Sequence, residues 1–176
     1  MRRAPGGGIM EMGEGSEPAL EGSGQGEERM PNIVGGCLCG SVRYESEAEP
    51  VLPAACHCHH CQKQPSSAFS IFVVLPKGSL KIEGEALAAF EDVGESGLPV
   101  FRKFCPKCGS AIVSEVVATP DLEWLNAGTL DDPSWFRPQM NIWCDSAQPW
   151  VNIDDTIPSY PGNPPQAPES RQGGGT

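Results

Sequence analysis

Residues 56–61 read Cys-His-Cys-His-His-Cys, three thiols and three imidazoles in six consecutive positions. Both side chains bind borderline-soft transition metals, zinc above all. Two further cysteine pairs have ligand spacing, Cys37-Leu38-Cys39 and Cys105-Pro106-Lys107-Cys108. Such short separations cannot build a compact network of unstrained disulfides, but they place two sulfurs on one ion. Seven of the eight cysteines therefore fall into ligand-spaced groups, which predicts metal binding. Cys144 is left over, and between Trp143 and Asp145 it reads as a small buried hydrophobe.

The segment "FRKFCPKCGSAIV" is a zinc knuckle between two strands, with Gly109 letting the backbone curl toward the sulfurs. Two sulfurs do not close a tetrahedral site. In an extended strand Cys37 and Cys39 point to the same face, so Cys37, Cys39, Cys105 and Cys108 can complete a closed, structural four-sulfur site. Cys56, Cys58 and Cys61 then supply three sulfurs to a second ion, the ligand number that catalytic zinc sites use. Alternation turns His57 and His59 away from those sulfurs, whereas His60 stays available as a fourth ligand that would make this site inert too. Spacing also leaves open a pairing of Cys37 and Cys39 with the triad, which would strand Cys105 and Cys108.

The elements that must hold these groups are strands. Apolar residues alternate through much of the chain, and Gly and Pro interrupt them often, so the fold class is all-β. Strands are predicted over 33–44, 68–75, 80–82, 86–91, 100–104, 111–117, 122–127 and 140–144. "PKGS", Pro76 to Ser79, reads as a tight hairpin with Gly78 at positive φ, and "LDDPSW" from Leu130 as a turn shaped by Asp131 and Asp132.

Composition divides the 176 residues into one small domain over 31–156 and disordered tails over 1–30 and 157–176, the first rich in Gly and Glu, the second in Pro and Gly. Met30 stands where the composition changes and is an alternative start. Arg2 and Arg3 precede no apolar run of signal-peptide length, which predicts a cytoplasmic protein, and no run reaches membrane-spanning length. Net charge is −11, and residues 31–156 carry eight Lys or Arg against sixteen Asp or Glu. That field repels phosphate backbones, so nucleic acid is not an expected partner. Trp124, Trp135, Trp143 and Trp150 accompany no basic stripe and read as core or pocket wall. Arg102 and Lys103 read as solvated charge.

"GGCLCGSVRY", "CHCHHCQK", "FCPKCGSAI", "NAGTLDDP" and "SAQPW" occur in an order that resembles the glutathione-dependent formaldehyde-activating enzyme family, also called the centromere protein V family, over about residues 34–150. The resemblance implies an Mss-four-like zinc-binding β fold with two zinc ions per chain. It implies the pairing of Cys37 and Cys39 with Cys105 and Cys108, and a second zinc on Cys56, Cys58 and Cys61 as the catalytic centre. It further implies carbon–sulfur lyase chemistry, the type reaction joining glutathione to formaldehyde as S-hydroxymethylglutathione. The expected partner is therefore a small thiol–aldehyde adduct. Many relatives have Gly where this chain has Ser66, and His where it has Asn141, which bears on loop shape and on polar contacts to substrate. The competing function is a non-catalytic zinc module that binds a protein partner, favoured by an exposed apolar patch without a pocket beside Cys56 to Cys61. Chromatin association, suggested by the centromere branch, fits the acidic core least.

Overall fold

Ten short strands carry the chain, and the residues described by the computed structural model are 33–94 and 96–165. The expected tail over residues 1–30, its alternative start at Met30, and residues 166–176 of the second tail lie outside the described residues.

The mainly β class holds, and the cysteines sit where strands break off. The single strand expected over 33–44 is two, β1 (Ile33–Gly36) and β2 (Val42–Ser46), paired antiparallel. Between them residues 37–41 turn back, closed by hydrogen bonds from Gly40 N to Cys37 O and from Cys37 N to Val42 O, both 3.0 Å. Gly40 adopts φ +75°, which a strand does not accommodate, so the first sulfur pair rides on a turn rather than along a strand.

β3 (Leu52–Cys56) was not predicted, since "LPAAC" has no β-branched residue and contains a proline; it forms because both neighbours pair with it. α1 (His59–Lys63) follows, a single turn capped by Cys58, whose sulfur accepts from the Cys61 amide at 3.4 Å. The remaining strands lie close to their predicted positions: β4 (Ser70–Pro76), β5 (Lys81–Gly84), β6 (Ala88–Val93), β7 (Pro99–Phe104), β8 (Ala111–Val116), β9 (Leu122–Asn126) and β10 (Met140–Ile142).

They form a three-stranded sheet, β1-β2-β5, and a seven-stranded sheet, β10-β3-β4-β9-β8-β7-β6. "PKGS" turns as expected, with Gly78 at φ +82°, but it makes no hairpin. β4 pairs with β3 and β9 while β5 crosses to β2, so the turn is a passage between sheets.

Strand alternation gives the large sheet two different faces. On β4, Val73 and Leu75 enter the main core with Ile33, Val42, Tyr44, Ile112 and Leu125. Phe72 and Val74 point the other way, into a second apolar cluster with Ile142 and the three sulfurs of Cys56, Cys58 and Cys61.

Residues 157–165 of the expected tail lie within the described residues. Residues 158–163 run beside β10 as a strap, with Asn141 N donating to Pro158 O, Tyr160 N to Asn141 O and Trp143 N to Gly162 O at 2.9–3.0 Å. Proline content suggested a flexible tail here, yet the Tyr160 amide of the strap and the Asn141 amide of β10 each find a carbonyl on the other segment. Among the described residues, no helix is long and apolar enough to cross a membrane.

Candidate metal centres

The turn between β1 and β2 meets the knuckle that joins β7 to β8. Cys105 N donates to Ser110 O, Gly109 N to Cys105 O, and across the gap Leu38 N donates to Ser110 Oγ at 3.0 Å. Sγ of Cys37 lies 3.5 Å from that of Cys39, and Cys39 Sγ lies 3.9 Å from Cys105 Sγ. With Zn–S bonds of ~2.3 Å, a tetrahedral site has S···S edges of roughly 3.8 Å. The four sulfurs of Cys37, Cys39, Cys105 and Cys108 all lie within 4.8 Å of one another, so this donor set fits one ion. The cluster also ties the small sheet to the large one, across a separation of 66 residues between Cys39 and Cys105.

The sulfurs respond unequally when no cation shares their charge. Burial pushes the Cys37 thiol up, but the Val42 amide and neighbouring thiols bring it down to about 7. The Ser110 hydroxyl and amide lower Cys108 to about 5. Cys39 is raised, because the Cys37 sulfur and burial outweigh the lowering by Ser41. A divalent cation removes that conflict by favouring all four thiolates at once.

The second cluster forms where β3 ends and α1 begins. Cys56, Cys58 and Cys61 are buried and their sulfurs lie within 4.8 Å of one another. Hydrogen bonds from the Cys56 and Cys61 thiols hold Cys58 down at about 2, and hydrogen bonding to the Cys58 and Cys61 sulfurs, with burial, keeps Cys56 well above its usual value. Cys61 is raised to about 11: the Cys56 thiol acts to lower it, but the Cys58 sulfur and burial outweigh this. A cation shared by the three sulfurs would favour the thiolate form of each.

Residues outside the ligand set hold this loop. Gln62 is buried and its Nε2 donates to His57 O at 2.5 Å and Ser146 O at 2.8 Å, while Gln148 Nε2 donates to Gln62 Oε1 at 2.7 Å. Ser70 Oγ donates to Cys61 O at 2.6 Å. Gln148 belongs to "SAQPW", so that motif braces the triad from 86 residues away. Sequence spacing gave no signal for this bridge, because both glutamines look like surface residues.

His57 and His59 are not among the grouped ligand residues. His57 is buried with Nε2 3.4 Å from Asn141 Oδ1, and His59 is exposed. His60 turns its Nδ1 to Asp92 Oδ2 at 2.7 Å, and the grouped metal-ligand atoms here are the three sulfurs alone.

Beside the triad opens a cavity of about 360 Å³. Its floor is one face of the large sheet, where the register lines up Arg102 on β7, Ser114 on β8, Trp124 on β9, Val74 on β4 and Leu52 on β3. Phe72 meets Trp124 edge-on, with ring centroids 5.7 Å apart. Trp143 and the strap residues Asn163, Pro164 and Pro165 complete the wall.

Several expectations change. Arg102 is not solvated: it is 6% exposed, donates from Nε to Asp92 Oδ2 at 2.8 Å and from Nη1 to Gln64 Oε1 at 3.1 Å, and lines the cavity beside Cys61. Lys103, next along β7, points the other way and pairs with Glu115. Asn141 faces away from the cavity, since its neighbours Met140 and Ile142 line it; its amide bonds to Ser159 and faces His57. Trp124 and Trp143 are cavity wall and Trp135 packs on the main core, but Trp150 is 74% exposed. Cys144 is only half-buried, in a turn after β10 rather than in a strand. Asp132 shapes its turn by accepting from Ser134 N, whereas Asp131 forms an ion pair with Arg43 of β2.

Fold and sites together define a mainly β protein with two cysteine clusters able to hold metal ions. The model of the family described as glutathione-dependent formaldehyde-activating enzyme matches residues 32–146, and the chain belongs to that family. Among solved structures, a Rhodobacter sphaeroides protein is similar at 19% identity with a TM-score of 0.48, covering 73% of this chain and 99% of its own. No curated protein matches.

Proposed function

We propose that the protein is a zinc enzyme of the carbon–sulfur lyase type that makes or breaks a thiol–aldehyde adduct, S-hydroxymethylglutathione or a related small electrophile. Family membership supports glutathione-dependent formaldehyde activation in general. The observation that carries the finer reading is the difference between the two clusters. Cys37, Cys39, Cys105 and Cys108 use four sulfurs and leave no position for chemistry, while Cys56, Cys58 and Cys61 use three at the wall of a cavity large enough for a small molecule.

Cys56, Cys58 and Cys61 would hold the zinc ion, whose Lewis acidity would lower the pKa of an entering thiol. In the forward direction the thiol sulfur bonds to the aldehyde carbon, and the thiol proton ends on the new hydroxyl; the reverse releases the aldehyde. The chain's own residues position and shield this exchange. Gln62, Gln148 and Ser70 fix the loop that carries the sulfurs. Phe72, Val74 and Trp124 keep water from the reacting carbon, and Arg102 places one positive charge beside an otherwise anionic cluster.

A cavity beside the triad is the opposite of the condition that favours the protein-interaction reading. The test is zinc stoichiometry on wild type and Cys58→Ser, with NMR exchange measurements on adducts of formaldehyde with glutathione and with benzyl mercaptan. Two zinc ions in wild type, one in the variant, retained fold and loss of catalysed exchange are expected. Two zinc ions with four protein ligands each, and no acceleration for any thiol, would sink the enzyme reading.

A further inference from the structure

Glutathione brings two carboxylates and one ammonium to any site that encloses it. The cavity beside the triad has little to offer them. Among its described lining residues there is one cation, Arg102, already bonded to Asp92 and Gln64, and there is no Asp, Glu, Lys or His. The remaining surface is Val, Leu, Ile, Met, Phe and Trp with a few small neutral groups, and the strap adds only Asn163, Pro164 and Pro165. Charges placed there unpaired lose their hydration without compensation. The net charge of −11 also repels an anionic ligand at long range.

One buried polar atom among the described lining residues has no protein partner. Ser114 Oγ is buried, its residue 2% exposed, with no hydrogen bond, and it lines the cavity between Arg102 and Trp124 in the cross-strand row. Buried hydroxyls are nearly always bonded, so an orphan facing a cavity marks where a ligand atom completes the set. Its neighbours are a guanidinium on one side and an indole on the other, which suits one acceptor attached to an apolar ring.

We propose that this cavity selects a thiol, or its aldehyde adduct, with an apolar ring-sized body and a single hydrogen-bond acceptor that meets Ser114, in preference to glutathione. This assignment rests on reading the cavity as the substrate site of the three-sulfur centre. Ser114 is its specificity-determining residue, and the sheet face from Trp124 to Val74 holds the ring.

The test is calorimetric binding to the zinc-loaded full chain, wild type and Ser114→Ala, with glutathione, benzyl mercaptan and the neutral acceptor-bearing 4-methoxybenzyl mercaptan. Both aryl thiols should bind wild type at least ~10-fold more tightly than glutathione. Ser114→Ala should fold normally, because it removes an unpaired buried group, and should weaken binding of 4-methoxybenzyl mercaptan about 10-fold while leaving benzyl mercaptan unchanged. Equal or tighter binding of glutathione, or a Ser114→Ala effect that is the same for both aryl thiols, overturns the assignment. The activity is read separately by exchange NMR. Aryl-thiol binding with no accelerated exchange for any adduct would refute the proposed enzyme and leave the selectivity standing; accelerated exchange with glutathione preferred would do the reverse.

Discussion

Replacing Arg102 by methionine tests how the triad loop is held. Arg102 and Asp92 have side chains only 8% and 12% exposed, and their contact is 2.8 Å. Removing one member of a buried ion pair costs about 3–5 kcal/mol, mainly because the other charge is left without its partner. Here His60 stays 2.7 Å from the same carboxylate oxygen, which compensates part of the loss. We therefore expect Arg102→Met to cost about 2–3 kcal/mol, just below the range for breaking an uncompensated pair. Asp92→Asn alone leaves a buried guanidinium bonded only to Gln64 and should cost about 2 kcal/mol. The double variant removes both charges, and its cost should fall to about 1 kcal/mol, below either single change. Urea unfolding of the zinc-loaded protein, with equal slopes for all four chains, gives the cycle. Strict additivity, with the double variant costing the sum of the two singles, would refute the claim that Arg102 and Asp92 act as a buried couple.

Four further outcomes follow from single positions. Ser66 stands at φ +53° in the loop after α1, so Ser66→Gly should stabilise by up to ~1 kcal/mol in thermal unfolding, with loss of stability counting against strain there. A Cβ at Gly35 would collide with the Tyr44 hydroxyl and the Thr129 carbonyl oxygen, so Gly35→Ala should lower stability by several kcal/mol, on the order of a severe core overpacking, and a neutral result would place β1 elsewhere. Cys105→Ser should destabilise more than Cys58→Ser under matched zinc, because the four-sulfur cluster links two sheets; the reverse order in thermal melts would reassign the structural site. Burial raises the Asp92 carboxyl, but Arg102 and His60 outweigh it and hold the folded pKa below its ordinary value. A depressed folded pKa stabilises above the unfolded value and is lost as pH falls through the folded one. Wild type should therefore lose stability faster than Asp92→Asn below about pH 4, and parallel acid limbs would contradict the shift.

Much of the site was legible because metal ligation is a local demand. Cysteines one or three residues apart can share an ion wherever the chain carries them, so the two clusters could be written down from spacing, and the resemblance supplied their pairing. The β class was legible for a similar reason, since period-two alternation survives in any sheet with one buried face. The errors fall where neighbours in space outvoted neighbours in sequence. β3 has poor strand propensity and forms because β4 and β10 flank it. Residues 158–163 look like a tail and become a strap because β10 offers an unpaired edge.

Arg102 illustrates the limit most clearly. In sequence it sits beside Lys103 as one of two charges before a knuckle. Alternation then sends the two to opposite faces of β7, one to Glu115 and the other into a wall shared with Ser114, Trp124 and the triad. Which face is the inner one depends on a register across five strands that no local pattern records. The sequence by itself determined the seven cysteines grouped at ligand spacing and the strand-rich class, because both follow from spacing along the chain. Only the tertiary structure decided that one cluster closes on itself while the other faces a cavity with a single cation and an orphan hydroxyl, because a cavity is made by residues the chain keeps far apart.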